Sequence, residues 1–445
     1  MVESYKKFIE SCRYVPIVLW AIPSDEFLHP CATDVSVVFI KQTVNNETFC
    51  VSFNHPDLTS VVNKETFIND LNNLREKKWA FDKKSFLQLL PVENLLDFNL
   101  WKHLKTGDTI DEELFETNAH RFIYRSKRDC GDLNKVVPLL KHKEVFEKIC
   151  DVYFQTDTNI FEDGYLKENS TILDTLAELE SNGIYVNAEC FQKHFDAKIN
   201  PNGLVYSSYN IYTATGRPSN VFDGVNYAAL NKDNGVRNCF VSRYGDDGTM
   251  VLIDYSAFHP RIICNLVNFP MPIGEDIYKY LGKLYFHREV NDFDMDEIKS
   301  ITMRQLYGGV EEQYEHIKYF GNLKEFIDIY WKRFEEDGFI FTPMFHRVIS
   351  DKHLKDGNKN KLFNYILQAT EPEVSMTAMK VVNEYLRDKK TKPVLYTYDS
   401  LLFDFYKPDG KEVLDRIMST MKICNRFPIK VYMGESYNDM NLIYS

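Results

Sequence analysis

The 445-residue sequence has no C-x-x-C pair among its nine cysteines, no long apolar run and no excess of positive charge. The first absence argues against a paired-cysteine zinc site. The odd, scattered set argues equally against a disulfide framework, so the thiols are expected to be reduced and mainly structural. The second excludes a helical membrane span, which needs roughly 20 apolar residues, so no membrane partner is expected. The N-terminus MVESYKKFIESC lacks the apolar stretch and cleavage site of a signal peptide, and the expected location is the cytoplasm. With a net charge of −12, any nucleic-acid contact must rest on local basic patches: YRSKR (124–128), KHK (141–143), DKHLKDGNKNK (351–361) and RDKKTK (387–392). Taken singly, each reads as a solvated face. There is no internal repeat and no low-complexity tract.

What is present is average for a globular chain of two or three domains, with 44% hydrophobic and 27% charged residues. Residues 14–53 read as short strands, and 64–75, 83–90 and a stretch ending near 155 as helices, giving a mixed α/β N-terminal unit. A helix through STILDTLAELES places Ile172, Leu173, Leu176 and Leu179 on its apolar positions and stops at Asn182-Gly183. Asn187 caps the next one. Beyond it come a strand ending at Asp254, a helix-rich stretch over 274–337, a helix over 360–387 and a tight hairpin about Asp399.

Two segments carry the chemistry. TMVLIDYS and VLYTYDSLLFDF each send an apolar strand to an aspartate flanked by tyrosine and serine, Asp254 and Asp399. The two meet only if their strands are neighbours in one sheet; otherwise they are unrelated strand-end acids. Together in a dry site they would repel unless a cation sat between them, and Mg²⁺ takes oxygen ligands of this kind. In EIKSITMRQLYGG, Lys299, Met303 and Tyr307 fall at i, i+4 and i+8 and so share a helix face, ended by Gly308-Gly309. An ammonium, an apolar side chain and an aromatic in that order suit a nucleotide's phosphate and base. Alone, the segment is an amphipathic helix.

In order and spacing these segments resemble the family A DNA polymerases. TATGRPSN (213–220) is similar to T-x-T-G-R, NYAALN and VRNCFV to the N-L-Q-N and R-R-A-F blocks, and DYSAFHPR to D-Y-S-Q-I-E-L-R. KSITMRQLYGG is similar to K-x-x-x-F-x-x-x-Y-G, NYILQATEPE (364–373) to N-M-P-V-Q-G-T-A-A-D, and YTYDS to V-H-D-E. The resemblance covers about 170–405 and points to compact phage enzymes of this family. It implies an α/β (α+β) right-hand polymerase: palm over 161–270 and 338–445, fingers over about 271–337, and a reduced thumb, preceded by a ribonuclease H-like exonuclease-type domain over 1–160.

By the same resemblance the chain adds dNTPs to a primer 3′-hydroxyl on primer-template DNA. Asp254 and Asp399, with the carbonyl of Tyr255, would hold two Mg²⁺ ions, Mn²⁺ being a substitute. Lys299 would meet phosphate, and Tyr307 and Met303 the base. Arg217 and Arg237 would serve the duplex and the active-site edge, and Asn364 and Gln368 the primer terminus in the minor groove. Arg261 reads as structural.

Departures from the pattern are specific. His259 stands where a glutamate walls off the 2′-hydroxyl, and histidine can also donate a hydrogen bond to it. Met303 replaces an aromatic, Ser400 a glutamate and Tyr398 a histidine, and Met295 stands where a phosphate-binding arginine is expected, with Arg304 as a compensating candidate. These leave open a ribonucleotide-accepting polymerase making primers or RNA, and an inert polymerase-derived accessory subunit. Only DAKINP stands where the family carries a helical thumb, which implies low processivity or an accessory protein that completes the grip. In the N-terminal region Asp82, Tyr153 and Asp157 match exonuclease motif positions. The first motif places Ile22 and Ser24 where acids belong, with Asp25 and Glu26 as register-shifted alternatives, so proofreading is expected to be lost.

Overall fold

The computed structural model describes residues 2–25, 28–44, 48–107, 138–155, 163–221, 225–272, 274–354 and 357–445. The chain divides into two compact units, Met1–Ser181 and Asn182–Ser445. The YRSKR patch and Asp157 lie outside the described residues.

The first unit is built on strands β1 (Ile17–Pro23), β2 (Val35–Gln42), β3 (Thr48–Ser52), β4 (Lys78–Ala80) and β5 (Leu95–Asp97), in the order β3-β2-β1-β4-β5. β1, β2 and β3 pair antiparallel, whereas β4 runs parallel to both β1 and β5. β2 is buried at every position, which is why VSVVFIKQ reads as a nearly unbroken apolar run instead of alternating. Leu19, Val38 and Ile40 from the sheet meet Phe67 and Leu71 of the Lys64–Asn72 helix and Phe86 of the Lys83–Leu89 helix in one core. The Asp163–Asn182 helix is tied to the same unit. Its buried Glu180 takes Lys84 Nζ at 2.7 Å and Gln88 Nε2 at 2.6 Å. Burial pushes the Glu180 carboxyl up, but Lys84 and His29 more than offset this and hold it below the usual carboxylate range. The first compact unit ends at Ser181, within this helix.

The second unit opens with four two-residue strands, β6 (Ile184–Tyr185), β7 (Leu204–Val205), β8 (Tyr209–Asn210) and β9 (Ser219–Asn220), and contains the hairpin β11 (Phe339–Phe341) and β12 (Val348–Ser350). Its main sheet is all antiparallel: β13 (Lys392–Thr397), β14 (Ser400–Tyr406), β10 (Gly248–Tyr255), β15 (Ile429–Gly434) and β16 (Met440–Tyr444), in the order β13-β14-β10-β15-β16. Met250, Val251 and Ile253 of the central β10 are buried, along with Leu402 and Phe403 of β14. α-Helices Ala188–His194, Phe258–Leu266, Ile277–Phe286, Met295–Gly308, Lys318–Asp337, Lys359–Leu386 and Gly410–Met421 belong to the same unit. The Lys359–Leu386 helix continues through Pro372, as the single helix read over 360–387 requires.

The cysteine expectation is corrected at one place: Cys190 and Cys239 form a disulfide across a Cα–Cα distance of 5.1 Å. Local backbone bonding brings them together, since Asn187 N–H donates to the Cys239 carbonyl at 2.8 Å and Val186 bridges Phe240. His194, one turn after Cys190, brings a ring nitrogen into the same cluster. Among the described residues, no helix is long and apolar enough to cross a membrane.

Candidate active site

The pairing of β10 with β14 sets Asp254 opposite Ser400, and the next amide along, Tyr255 N–H, donates to the Asp399 carbonyl at 2.9 Å. Asp399 occupies the two-residue turn between β13 and β14, whose first residue, Tyr398, takes φ +62°. A positive φ at that position suits the twist of a tight hairpin. Thr397 Oγ1 and Ser400 Oγ close the turn at 2.6 Å. The two acids thus share one edge of the sheet. Burial, and next the charge of Asp399, push the Asp254 carboxyl up to about 6, with Lys430 and Lys232 pulling the other way. The Asp399 carboxyl is also raised, first by burial, with Glu371 adding to the effect and a backbone donor, His259 and Arg217 opposing it. Lys430 lies directly across from Asp254 on β15. Sequence reading missed it, because IKVYMG carries no signal beyond an apolar alternation.

The Met295–Gly308 helix buries Ile298, Thr302, Gln305 and Leu306 and turns the other face outward, with Lys299 exposed and Met303 half-buried. Its end is pinned to the Lys359–Leu386 helix. Asn360 Nδ2 donates to the Gly308 carbonyl at 2.7 Å and Asn364 Nδ2 to the Tyr307 carbonyl at 3.3 Å. Gln368 lies one turn beyond Asn364 and is half-buried. Arg304, the candidate to compensate for the missing arginine, pairs its guanidinium with Glu311 at 2.8 Å.

Two motifs meet directly on one buried carboxylate, and two more join through them. Glu371 Oε2 meets His259 Nε2 at 2.7 Å and Arg217 Nη2 at 3.0 Å. The other ring nitrogen, His259 Nδ1, meets the Tyr307 hydroxyl at 2.5 Å. The Arg217 guanidinium also stacks over the Tyr398 ring at 3.8 Å, beside Asp399. The turn that presents Arg217 needs its glycine. Gly216 has φ +68°, its N–H donates to the Thr213 carbonyl at 3.0 Å, and a Cβ there would lie 2.4 Å from the Arg347 guanidinium carbon. Glu371 was not among the residues singled out from sequence.

The remaining arginines are committed to the protein. Arg237 Nε donates to the Leu230 carbonyl at 2.9 Å and its guanidinium covers the Tyr437 ring at 4.5 Å. Arg261 is buried and donates to the Glu275 carbonyl, in keeping with a structural role.

In the first unit, Asp82 caps the Lys83–Leu89 helix, accepting from Ser85 N–H at 3.1 Å and Ser85 Oγ–H at 2.6 Å. Tyr153 is buried among Trp79 and Phe98, with ring centroids at 5.8 and 5.0 Å. Ile22 is buried at the end of β1, and Asp25 N–H donates to Thr33 Oγ1 at 3.1 Å. Glu26 lies outside the described residues. A further acid, Asp97, is fully buried at the end of β5. Burial and then the charge of Asp82 push its carboxyl up to about 7, against the amides of Leu100 and Lys83 that it caps.

No protein-family model matches the chain. A curated DNA polymerase of Bacillus phage SP01 is 23% identical over 314 residues, covering 58% of this chain and 33% of the relative. The chain therefore spans about a third of the length of that relative. Among solved structures, the POL domain of Pol1 from M. smegmatis, in complex with DNA primer-template and dNTP, aligns with a TM-score of 0.72 at 13% identity over 98% of both chains. The chain has a polymerase-domain fold. The resemblance to DNA polymerases carried by the sequence motifs is thus matched by a phage relative and by the fold. Within that polymerase-domain fold, TATGR, DYSAFHPR, the Met295–Gly308 helix, NYILQATEPE and YTYDS supply the residues around Asp254 and Asp399.

Proposed function

We propose that the chain is a template-directed DNA polymerase of the family A type, extending a primer 3′-hydroxyl on a DNA template with dNTPs. The observation that carries this reading is the meeting of Asp254 and Asp399 at one sheet edge, with Tyr307 of the Met295–Gly308 helix joined through His259 to Glu371, whose charge acts on Asp399. Burial first, and the charge of Asp399 second, raise the Asp254 carboxyl, and two such oxygen donors at one sheet edge fit a hard divalent cation. Asp254, Asp399 and the Tyr255 carbonyl would hold two Mg²⁺ ions, or Mn²⁺ in their place. When bound, these supply Lewis-acid activation of the hydroxyl and charge neutralisation at the triphosphate.

The rest of the chemistry falls to the chain's own groups. Lys299 neutralises the incoming phosphates and can protonate the leaving pyrophosphate. Met303 packs on the incoming base and Tyr307 closes the template side. Asn364 and Gln368 read the minor-groove edge at the primer terminus. Arg217 and Arg237 shape the site from the palm side and serve as positioning residues, since both are held by protein partners.

In this reading residues 161–270 and 338–445 form a palm and 271–337 the fingers. The thumb is reduced to DAKINP (196–201), the short segment that follows the Ala188–His194 helix. Phosphate contacts along the product duplex are correspondingly few, which gives low processivity unless an accessory protein completes the grip. Long runs of extension in a single binding encounter would contradict that. The strand order of the first unit supports a ribonuclease H-like exonuclease-type domain. Asp82 as a cap, Tyr153 in an aromatic core and apolar Ile22 support lost proofreading.

Extension of a labelled primer on a DNA template with Mg²⁺ and dNTPs tests the reading. Template-dependent products are expected, and their absence at any enzyme concentration would overturn it.

A further inference from the structure

We propose that Glu371 is the positioning residue of the sugar gate: it fixes His259 as a wall and leaves the ring no free donor for a ribose 2′-hydroxyl. The inference rests on the polymerase reading and deepens it.

In the pattern that the chain resembles, the place of His259 holds a glutamate and that of Glu371 a small alanine. Here the acid comes from the facing helix instead, with a side chain only 1% exposed. A carboxylate at neutral pH accepts and does not donate. The 2.7 Å contact with Glu371 Oε2 therefore places a proton on His259 Nε2. In the neutral ring this makes Nδ1 an acceptor, and the Tyr307 hydroxyl at 2.5 Å donates to it. In the charged ring Nδ1–H donates to the same oxygen. Both nitrogens are engaged in either state.

Arg217 holds the other side of the arrangement. Its Nη2 lies 3.0 and 3.2 Å from the two carboxylate oxygens, so Glu371 cannot rotate away from His259 without leaving a buried carboxylate unpaired. The chain Arg217–Glu371–His259–Tyr307 thus ties the palm turn to the end of the fingers helix. Its effect is to hold one imidazole edge where a 2′-hydroxyl would need room. Removing Glu371 frees the ring to turn and makes an N–H available to that hydroxyl, which lowers discrimination against ribonucleotides.

The test is single-nucleotide incorporation with a dNTP and the corresponding NTP by the full chain, comparing kcat/KM ratios for the unaltered protein, Glu371→Gln, Glu371→Asp, Glu371→Ala, His259→Ala and the double variant H259A/E371A. The expected result is a fall in the dNTP-to-NTP ratio of about tenfold or more in E371A, the loss of one charge-assisted hydrogen bond. E371Q falls less and E371D recovers part of the ratio. In the H259A background, adding E371A leaves the ratio essentially where H259A put it. A merely structural Glu371 would slow both nucleotides equally, and an unchanged ratio in E371Q and E371A would overturn the assignment. If E371A does not fold, the near-isosteric E371Q decides by the same ratio. No extension by the unaltered chain would instead overturn the polymerase reading, and this inference with it.

Discussion

The backbone N–H of Tyr255 donates to the carbonyl of Asp399 at 2.9 Å. This bond joins the strand that ends in Asp254 to the hairpin turn that carries Asp399, so the separation of the two acids is set by sheet pairing and not by flexible loops. Asp254 is built on a strand, and Asp399 on a tight two-residue turn that this bond ties to it, so the site gains its rigidity from the sheet.

That rigidity has a consequence for stability. The folded-state pKa of Asp254 is raised, so its contribution is present below the unfolded value of 3.8 and is lost as the pH rises through about 6. Asp254→Asn should therefore raise the thermal midpoint in EDTA at pH 8 by about 2–4 °C, and Mg²⁺ should stabilise the unaltered protein more than the variant. Thermal unfolding with and without Mg²⁺ measures both; a lower midpoint for the variant in EDTA would contradict the placement of the two charges.

Lys299 and Arg304 separate catalysis from surface charge. Lys299 is exposed on the outward face of its helix, whereas Arg304 is paired with Glu311. Lys299→Ala should reduce dNTP incorporation by about 10²-fold or more while leaving the melting temperature within error. Arg304→Ala should change incorporation only slightly. Equal losses in steady-state kinetics would remove the special role given to Lys299.

Gly216 is predicted to be irreplaceable on backbone grounds. Its φ of +68° strains any side chain, and a built Cβ would lie 2.4 Å from the Arg347 guanidinium carbon, so alanine would also force that arginine to shift. Gly216→Ala should cost about 2 kcal/mol, read as a lower denaturant midpoint. It should also displace Arg217 and so lower activity further than stability alone explains.

Another raised carboxyl is Glu373, two residues beyond Glu371 in the same helix. Glu373 accepts from Thr342 Oγ1–H at 2.7 Å and Phe345 N–H at 3.2 Å, and burial pushes it from 4.5 up to about 7 against these bonds and Arg347. Its contribution is present below 4.5 and fades as the pH rises through about 7. The difference in thermal midpoint between the unaltered protein and Glu373→Gln should shift against the unaltered protein between pH 5 and pH 8. A constant difference would mean that Glu373 is ionised throughout.

The parts legible in the sequence are those whose signal is local. Apolar runs ending in Asp254 and Asp399 fixed two strands, and the i, i+4, i+8 spacing of Lys299, Met303 and Tyr307 fixed a helix face. Asn187 declared a cap that is present, accepting from Cys190 N–H at 3.0 Å. What was not legible depends on partners far along the chain. Glu371 gains its meaning from His259 and Arg217, 112 and 154 residues away, and sits in a helix whose periodicity marks it only as buried. Lys430 acquires a role through the register of β15 against β10, which no spacing rule supplies. The Cys190–Cys239 pair, separated by 49 residues, escaped a reading based on short cysteine spacings. Asp82 illustrates the converse: a motif position that looked like a metal ligand is also a good helix cap, and the fold uses it as one.

The central claim is that Asp254 and Asp399 carry template-directed nucleotide addition. The most direct measurement is primer extension on a DNA template with Mg²⁺ and dNTPs by the unaltered chain, Asp254→Asn and Asp399→Asn, with primer-template binding measured on the same samples. Template-dependent extension by the unaltered chain, its loss in both variants and retained DNA binding are the predicted result. Undiminished extension by either variant would contradict the account.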